Sequence, residues 1–175
     1  MFPSDFFHHC PRCAAALARP PRSELYDCAA CGFRLYFNPA VSASAFVERD
    51  DGRVLLIRRA KEPAKGKLAP PGGFVDFGET AEDSLRREVR EETGLEIHAI
   101  RYLMSHPNRY PFREVTYRIL DLFFVAQAVD AGAGRPLDDV DEILWREPAT
   151  LRPEEMAFAS MAEALRVYQA GLPGT

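Results

Sequence analysis

Long apolar runs are missing from this chain of 175 residues. Its greasiest stretch, Ile119 to Val129, is interrupted by Asp121 and Gln127, whereas a membrane-crossing helix needs roughly 18 uninterrupted apolar residues. No membrane partner is expected. Excess positive charge is missing too: 22 Lys+Arg stand against 26 Asp+Glu, a formal net charge of -4. A chain so balanced is not built to coat nucleic acid or an anionic bilayer, so a phosphate-bearing partner has to be met locally. The opening MFPSDFFHHCPRC has Asp5 where a secretory leader has a basic start, and it lacks an apolar core. A cytoplasmic, reducing location is the expectation. Internal repeats and low-complexity segments are absent as well.

What is present is the balance of an ordinary globular protein, 47% hydrophobic and 27% charged. At about 150 residues per domain the length allows one domain with a small appendage and excludes two large ones. Every cysteine falls within the first 31 residues, as Cys10-Pro-Arg-Cys13 and Cys28-Ala-Ala-Cys31, separated by 14 residues that include an Arg19-Pro20-Pro21-Arg22 turn. A two-residue spacing lets both sulfurs of a knuckle reach one ion, and two knuckles close the tetrahedron of a structural Zn²⁺. So short a segment cannot bury enough surface to fold alone, so the metal would supply its folding free energy. His8 and His9 are weaker alternative ligands.

After Asn38-Pro39 the texture changes, which places a zinc ribbon at 1–36 and a second domain at 37–175. Strand-like runs at Val41 to Arg49 and Arg53 to Arg59 flank the hairpin signal Asp50-Asp51-Gly52. Glu62 to Gly78, rich in Pro and Gly, reads as a long loop. Ala81 to Thr93 has helical spacing with Ala81, Leu85 and Val89 on one face, Thr80 as cap and Gly94 as stop. Further strands are expected at Ile97 to Met104, Val115 to Val129 and Ile143 to Arg146. A final helix is expected over Pro153 to Ala170, with Phe158, Met161, Ala162, Leu165 and Tyr168 as its packing stripe.

On the first helix Glu88, Glu91 and Glu92 are three and four apart and can project from one side. Like charges so placed repel, which makes sense where hard divalent cations sit among them; Mg²⁺ takes oxygen ligands and shares its shell with substrate phosphates. A solvated charged face, with Glu82 paired to Arg86 and Arg87 to Glu91, is the competing reading. An apolar, partly aromatic slot for a base or sugar would draw on Phe74, Tyr110 and Phe112.

From Gly73 the chain runs GFVDFGETAEDSLRREVREETGL. Gly73, Glu79, Arg87, Glu88, Val89, Glu91, Glu92, Gly94 and Leu95 match the Nudix box without a mismatch, a coincidence expected at about one start position in 10⁹ to 10¹⁰ by average residue usage. The chain resembles the Nudix hydrolase family, and the ribbon ahead of the box is similar to the NADH pyrophosphatase branch. Where that branch carries a SQPWPFP-type array, this chain has Ser105-His106-Pro107-Asn108-Arg109-Tyr110-Pro111-Phe112, without the Trp.

The resemblance implies an α/β fold, a Nudix α/β/α sandwich with a mixed sheet behind a small N-terminal zinc ribbon. It implies Mg- or Mn-dependent hydrolysis of the pyrophosphate of a nucleoside diphosphate linked to another moiety, NAD(H)-like dinucleotides or ADP-ribose first. Nucleoside triphosphates or other nucleotide conjugates are the alternative. Glu88, Glu91, Glu92 and the Gly73 carbonyl would hold the metal, Arg87 would orient carboxylates and Glu79 would hold the loop to the helix. By the same resemblance a fourth carboxylate comes from the acidic loop before the strand that carries Trp145, Asp139 first and Glu142 second, with Glu91 the next candidate base. A homodimer is also implied. A nucleic-acid module on a Nudix scaffold is the rival of a different class. Against it, residues 1–36 set Arg12, Arg19, Arg22 and Arg34 against Asp5, Glu24 and Asp27, with no basic stripe.

Overall fold

The computed structural model describes residues 1–17 and 24–172; the expected Arg19-Pro20-Pro21-Arg22 turn lies outside them. The N-terminal unit pairs β1 (Leu25–Asp27) with β2 (Arg34–Tyr36) in an antiparallel ribbon. Phe7, Tyr26, Phe33 and Phe37 pack around it, Phe7 edge-on to Phe37 with ring centroids 4.9 Å apart.

The body contains β3 (Ala40–Glu48), β4 (Val54–Arg59), β5 (Leu68–Ala69), β6 (Gly72–Phe74), α1 (Ala81–Thr93), β7 (Ile97–Phe112), β8 (Val115–Ala128), β9 (Val140–Arg146) and α2 (Ala159–Ala170). Its sheet runs β5-β4-β3-β8-β7, with β3 and β8 parallel and the other pairings antiparallel, and β9 beside β4. The sheet is mixed, and strand alternation sends each central strand's side chains to two faces. Ala43, Ala45, Val47, Leu55, Phe124 and Ala126 meet Leu85 and Val89 of α1. Phe46, Val54, Leu56, Phe123 and Val125 meet Met161, Ala164, Leu165 and Tyr168 of α2. A helix thus covers each face, which is the α/β/α sandwich.

One feature of the sheet positions the site. β3 and β4 share only the Val47↔Leu55 and Glu48↔Val54 pairs before they diverge. The segment carrying β5 and β6 wedges between them, β5 on Ile57 and Arg58 of β4, β6 on Ser42 to Ser44 of β3. The wedge runs through Pro70-Pro71, where the Pro71 carbonyl accepts from Ala45 N–H at 3.0 Å.

Four boundaries differ from expectation; one is β9, which starts at Val140 rather than Ile143 and so holds Glu142 of the expected acidic loop. The stretch from 62 to 78 is not all loop, because β5 and β6 are two and three residues long, too short for alternation to mark them. β7 runs on to Phe112 through Pro107 and Pro111. Proline argues against a strand only where a ladder needs its N–H, and β7 is at the sheet's edge. Only Pro153–Glu155 is helical, as a 3-10 turn, ahead of α2, which starts at Ala159 with Phe158 as its N-cap.

Candidate active site

α1 begins where the Thr80 hydroxyl accepts from Asp83 N–H at 3.1 Å and ends where Gly94 turns left-handed (φ 70°), its N–H donating to Arg90 O at 2.8 Å. Its apolar stripe, Leu85 and Val89, is sealed against the sheet. The adjoining stripe, Glu88 and Glu92, meets the β5–β6 wedge. Gly73 is held so close to Glu88 that a β-carbon there would lie 2.4 Å from the carboxyl carbon, so any larger residue would push the Glu88 carboxylate out of its place. Gly72 N–H donates to Glu92 Oε2 at 2.9 Å.

Arg87 organises the acids. Its guanidinium clamps Glu79 with two bonds of 2.8 and 2.9 Å, reaches Glu88 at 2.7 Å and Glu91 at 3.1 Å, and donates to the Phe74 carbonyl at 3.1 Å. Glu79 also accepts from Asp76 N–H, tying loop to helix. The Arg87 bonds hold the Glu79 carboxyl down at about 2. Glu88 responds the other way: burial raises it, and the Arg87 contact only partly offsets that. Glu92 has no guanidinium bond, and burial, opposed by the Gly72 bond and aided by Glu88, pushes it up to about 8. Arg87→Ala would strand these half-buried carboxylates. A loss of roughly 2–3 kcal/mol in urea unfolding is expected, with Arg87→Lys in between because one ammonium cannot replace a bidentate fork.

The split in the sheet opens as a cavity of about 530 Å³. Of the residues singled out from sequence, Gly73, Phe74, Glu88, Glu92, Tyr110, Phe112 and Asp139 line it. Glu91 does not, being drawn to Arg87, and neither does Glu142, which pairs with Arg58 at 2.9 Å. Asp139 is in the left-handed region (φ 54°) and forms an ion pair with Lys61. Sequence reading missed Arg59, Lys61 and Phe158, which also line the cavity. The Arg59 guanidinium lies 5.4 Å from the Phe158 ring centre. Strand parity could have found Arg59, two residues after Ile57 on the same face of β4. Phe158 was hidden in the α2 packing stripe.

A second constellation lies in the ribbon. The sulfurs of Cys10, Cys13, Cys28 and Cys31 all lie within 4.8 Å of one another, with Cys10 to Cys31 at 3.8 Å and Cys13 to Cys28 at 3.7 Å. These separations are too long for disulfides and match the edge of about 3.8 Å expected for a tetrahedron with metal–sulfur bonds of about 2.3 Å. The knuckles are prebuilt by Ala14 N–H to Cys10 O and Gly32 N–H to Cys28 O, at 2.9 and 2.8 Å. A hydrogen bond from Tyr26 draws Cys28 down to about 6, while burial and the neighbouring sulfurs push Cys31 up. Among the described residues this is the only such close cluster; the acids of α1 do not form one.

Comparison with known proteins bears on this geometry. The sequence model of the NUDIX domain matches residues 38–168. The chain belongs to the NUDIX family. An ADP-ribose pyrophosphatase of Methanocaldococcus jannaschii is 39% identical over 102 residues, 57% of this chain and 60% of that protein. The NAD-capped RNA hydrolase NudC of Chromobacterium violaceum is 33% identical over 145 residues, 81% of this chain and 51% of that protein. This NUDIX chain therefore spans just over half the length of these two relatives. A crystal structure of a NUDIX hydrolase from Nitrosomonas europaea superposes with a TM-score of 0.68 at 22% identity, covering 94% of each chain, which shows the fold. No helix among the described residues is long and apolar enough to cross a membrane.

Proposed function

We propose that this NUDIX protein hydrolyses the pyrophosphate of a nucleoside diphosphate linked to another moiety, with NAD(H)-like dinucleotides and ADP-ribose as its substrates. The observation that carries the reading is the half-buried acid pair Glu88 and Glu92 beside Gly73, in a cavity that aromatic rings also line. Carboxylates raised by burial are the donor set that a hard divalent cation satisfies. Glu88, Glu92 and the Gly73 carbonyl would hold Mg²⁺ or Mn²⁺, with Glu91 at the margin. Such an ion supplies charge neutralisation of the phosphates and a more acidic water.

The chain's own residues do the rest. Arg87 fixes the rotamer of Glu88. Arg59 offers a guanidinium to phosphate oxygens, and Phe74, Tyr110 and Phe112 offer ring edges and faces to a base or sugar. Asp139 is the general base in this reading, kept close by Lys61. Asp139→Asn should lower kcat by about 10²-fold or more with little change in KM, and Glu142→Gln should leave kcat within a few-fold, as read across pH. If Glu142→Gln is the damaging change, the base is misassigned; if neither matters, Glu91 takes its place.

The ribbon is proposed to hold one structural Zn²⁺, because four thiolates leave no open position for water. A cytoplasmic location, a homodimer, and units at 1–36 and 37–175 complete the proposal. An NAD-capped RNA end is a second reading. A groove between ribbon and β7–β8, lined by Tyr36, Arg109 and Arg118, shares Asn108 and Ile119 with the cavity and leaves room for a nucleotide extension.

A further inference from the structure

Asp121 is an acidic residue in the middle of the sheet, and it is only 5% exposed. It lies on β8 beside Ser42 of β3, two residues from Ile119, on the strand face that α2 covers. The hydroxyl of Ser42 donates to one of its oxygens at 2.6 Å and that of Ser160, in the first turn of α2, to the other at 2.5 Å. No cation pairs with it among the described residues; both its protein partners are neutral hydroxyls.

A fastening between sheet and α2 needs no ionised group, since neutral side chains can also hydrogen-bond Ser42 and Ser160. Asp121 nevertheless lines the cavity, and so does Ser42. Glu88, Glu92 and Asp139 lie at the side bounded by Gly72 and Gly73, with Arg59 and Lys61. Asp121 lines the side that β7 and β8 form with Asn108, Tyr110 and Ile119, Asn108 directly opposite Ile119 in the ladder. An unneutralised carboxylate repels phosphate, so this side suits the uncharged part of a nucleotide. Beside aromatic rings, a carboxylate with spare lone pairs accepts from N–H groups on the edge of a stacked base.

We propose that Asp121 reads the base of the substrate, accepting a hydrogen bond from an exocyclic amino group such as that of adenine, so that the cavity selects amino-bearing purines. The inference rests on the cavity being a nucleotide site, but its test does not require turnover. Binding of AMP and of its 6-deamino analogue, purine riboside 5′-monophosphate, is measured by calorimetry with Mg²⁺ present, for the wild type, Asp121→Asn and Ser160→Ala.

A hydrogen bond to a buried charge sets the scale: wild type should prefer AMP by about 10- to 100-fold. Asp121→Asn should reduce that preference to within about threefold. Ser160→Ala keeps the carboxylate and loses the α2 fastening, so it should lower Tm and keep the preference. Equal binding of the two ligands by wild type overturns the proposal even if Asp121→Asn fails to fold. A folded Asp121→Asn that still prefers AMP overturns it too. If the expected preferences appear but no nucleotide conjugate is hydrolysed, the hydrolase reading fails and the base-reading role stands.

Discussion

Glu92→Gln should lower kcat at least about a thousandfold while making the metal-free protein more stable at pH 8. The first effect follows from replacing an anionic oxygen donor in the proposed metal site by a neutral amide of the same shape. The second follows from burial. The Glu92 carboxyl, pushed up to about 8 in the fold, ionises near 4.5 once unfolded. The folded state therefore binds the extra proton. The stability this confers is fully present below pH about 4.5 and is lost as pH rises toward 8. Glutamine resembles the protonated form and has no such loss. Metal-free wild type should lose Tm across that window, and the variant should not lose it through this group. Addition of Mg²⁺ should restore wild-type Tm with release of protons and should do little for the variant. Equal turnover by the two proteins would remove α1 from the metal site.

Stripping the ribbon of metal should unfold it while leaving the body folded. Four thiolates brought within 4.8 Å are the main organiser of a unit whose core is a handful of aromatic rings. Metal binding in such small domains is worth about 10–16 kcal/mol. Elemental analysis should find one Zn²⁺ per chain, and paired Cys10→Ser and Cys13→Ser changes should expose residues 1–36 to protease. The ribbon also touches the body. Met1 O accepts from Thr116 N–H at 2.7 Å, and Glu24 pairs with Arg118 at 2.7 Å, on the hairpin whose other strand carries Tyr110 and Phe112. Loss of the ribbon should therefore raise KM more than it lowers kcat. A metal-free preparation that stays as protease-resistant as the native protein contradicts the structural role.

The local elements of this fold were legible because each carries its own signal. Thr80 and Gly94 bound α1 to the residue, and the Cys-x2-Cys pairs marked the ribbon. The split in the sheet was not legible, since β5 and β6 are too short to show a period and depend on pairing with Ile57 and Ala43 far along the chain. Site residues divide in the same way. Glu88, Glu92 and Gly73 lie within one local motif, whereas Arg59, Phe158 and Asp121 converge on the cavity only through tertiary contacts. Asp121 read as a break in an apolar run, and its serine partners lie 79 and 39 residues away. The aromatic run around Tyr110 was legible as a candidate slot, but its place beside Phe74 depends on the whole length of β7.

The most direct test of the central claim is product analysis with ADP-ribose and NADH in Mg²⁺ and ¹⁸O-labelled water. The account predicts AMP with ribose 5-phosphate from the first and AMP with reduced nicotinamide mononucleotide from the second. One ¹⁸O should appear on a phosphate product in each case. With no tryptophan in the array from Ser105 to Phe112, efficiencies for the two substrates should lie within about 100-fold of each other. Cleavage at a glycosidic bond, label in neither phosphate product, or no turnover of either compound with Mg²⁺ or Mn²⁺ would contradict it.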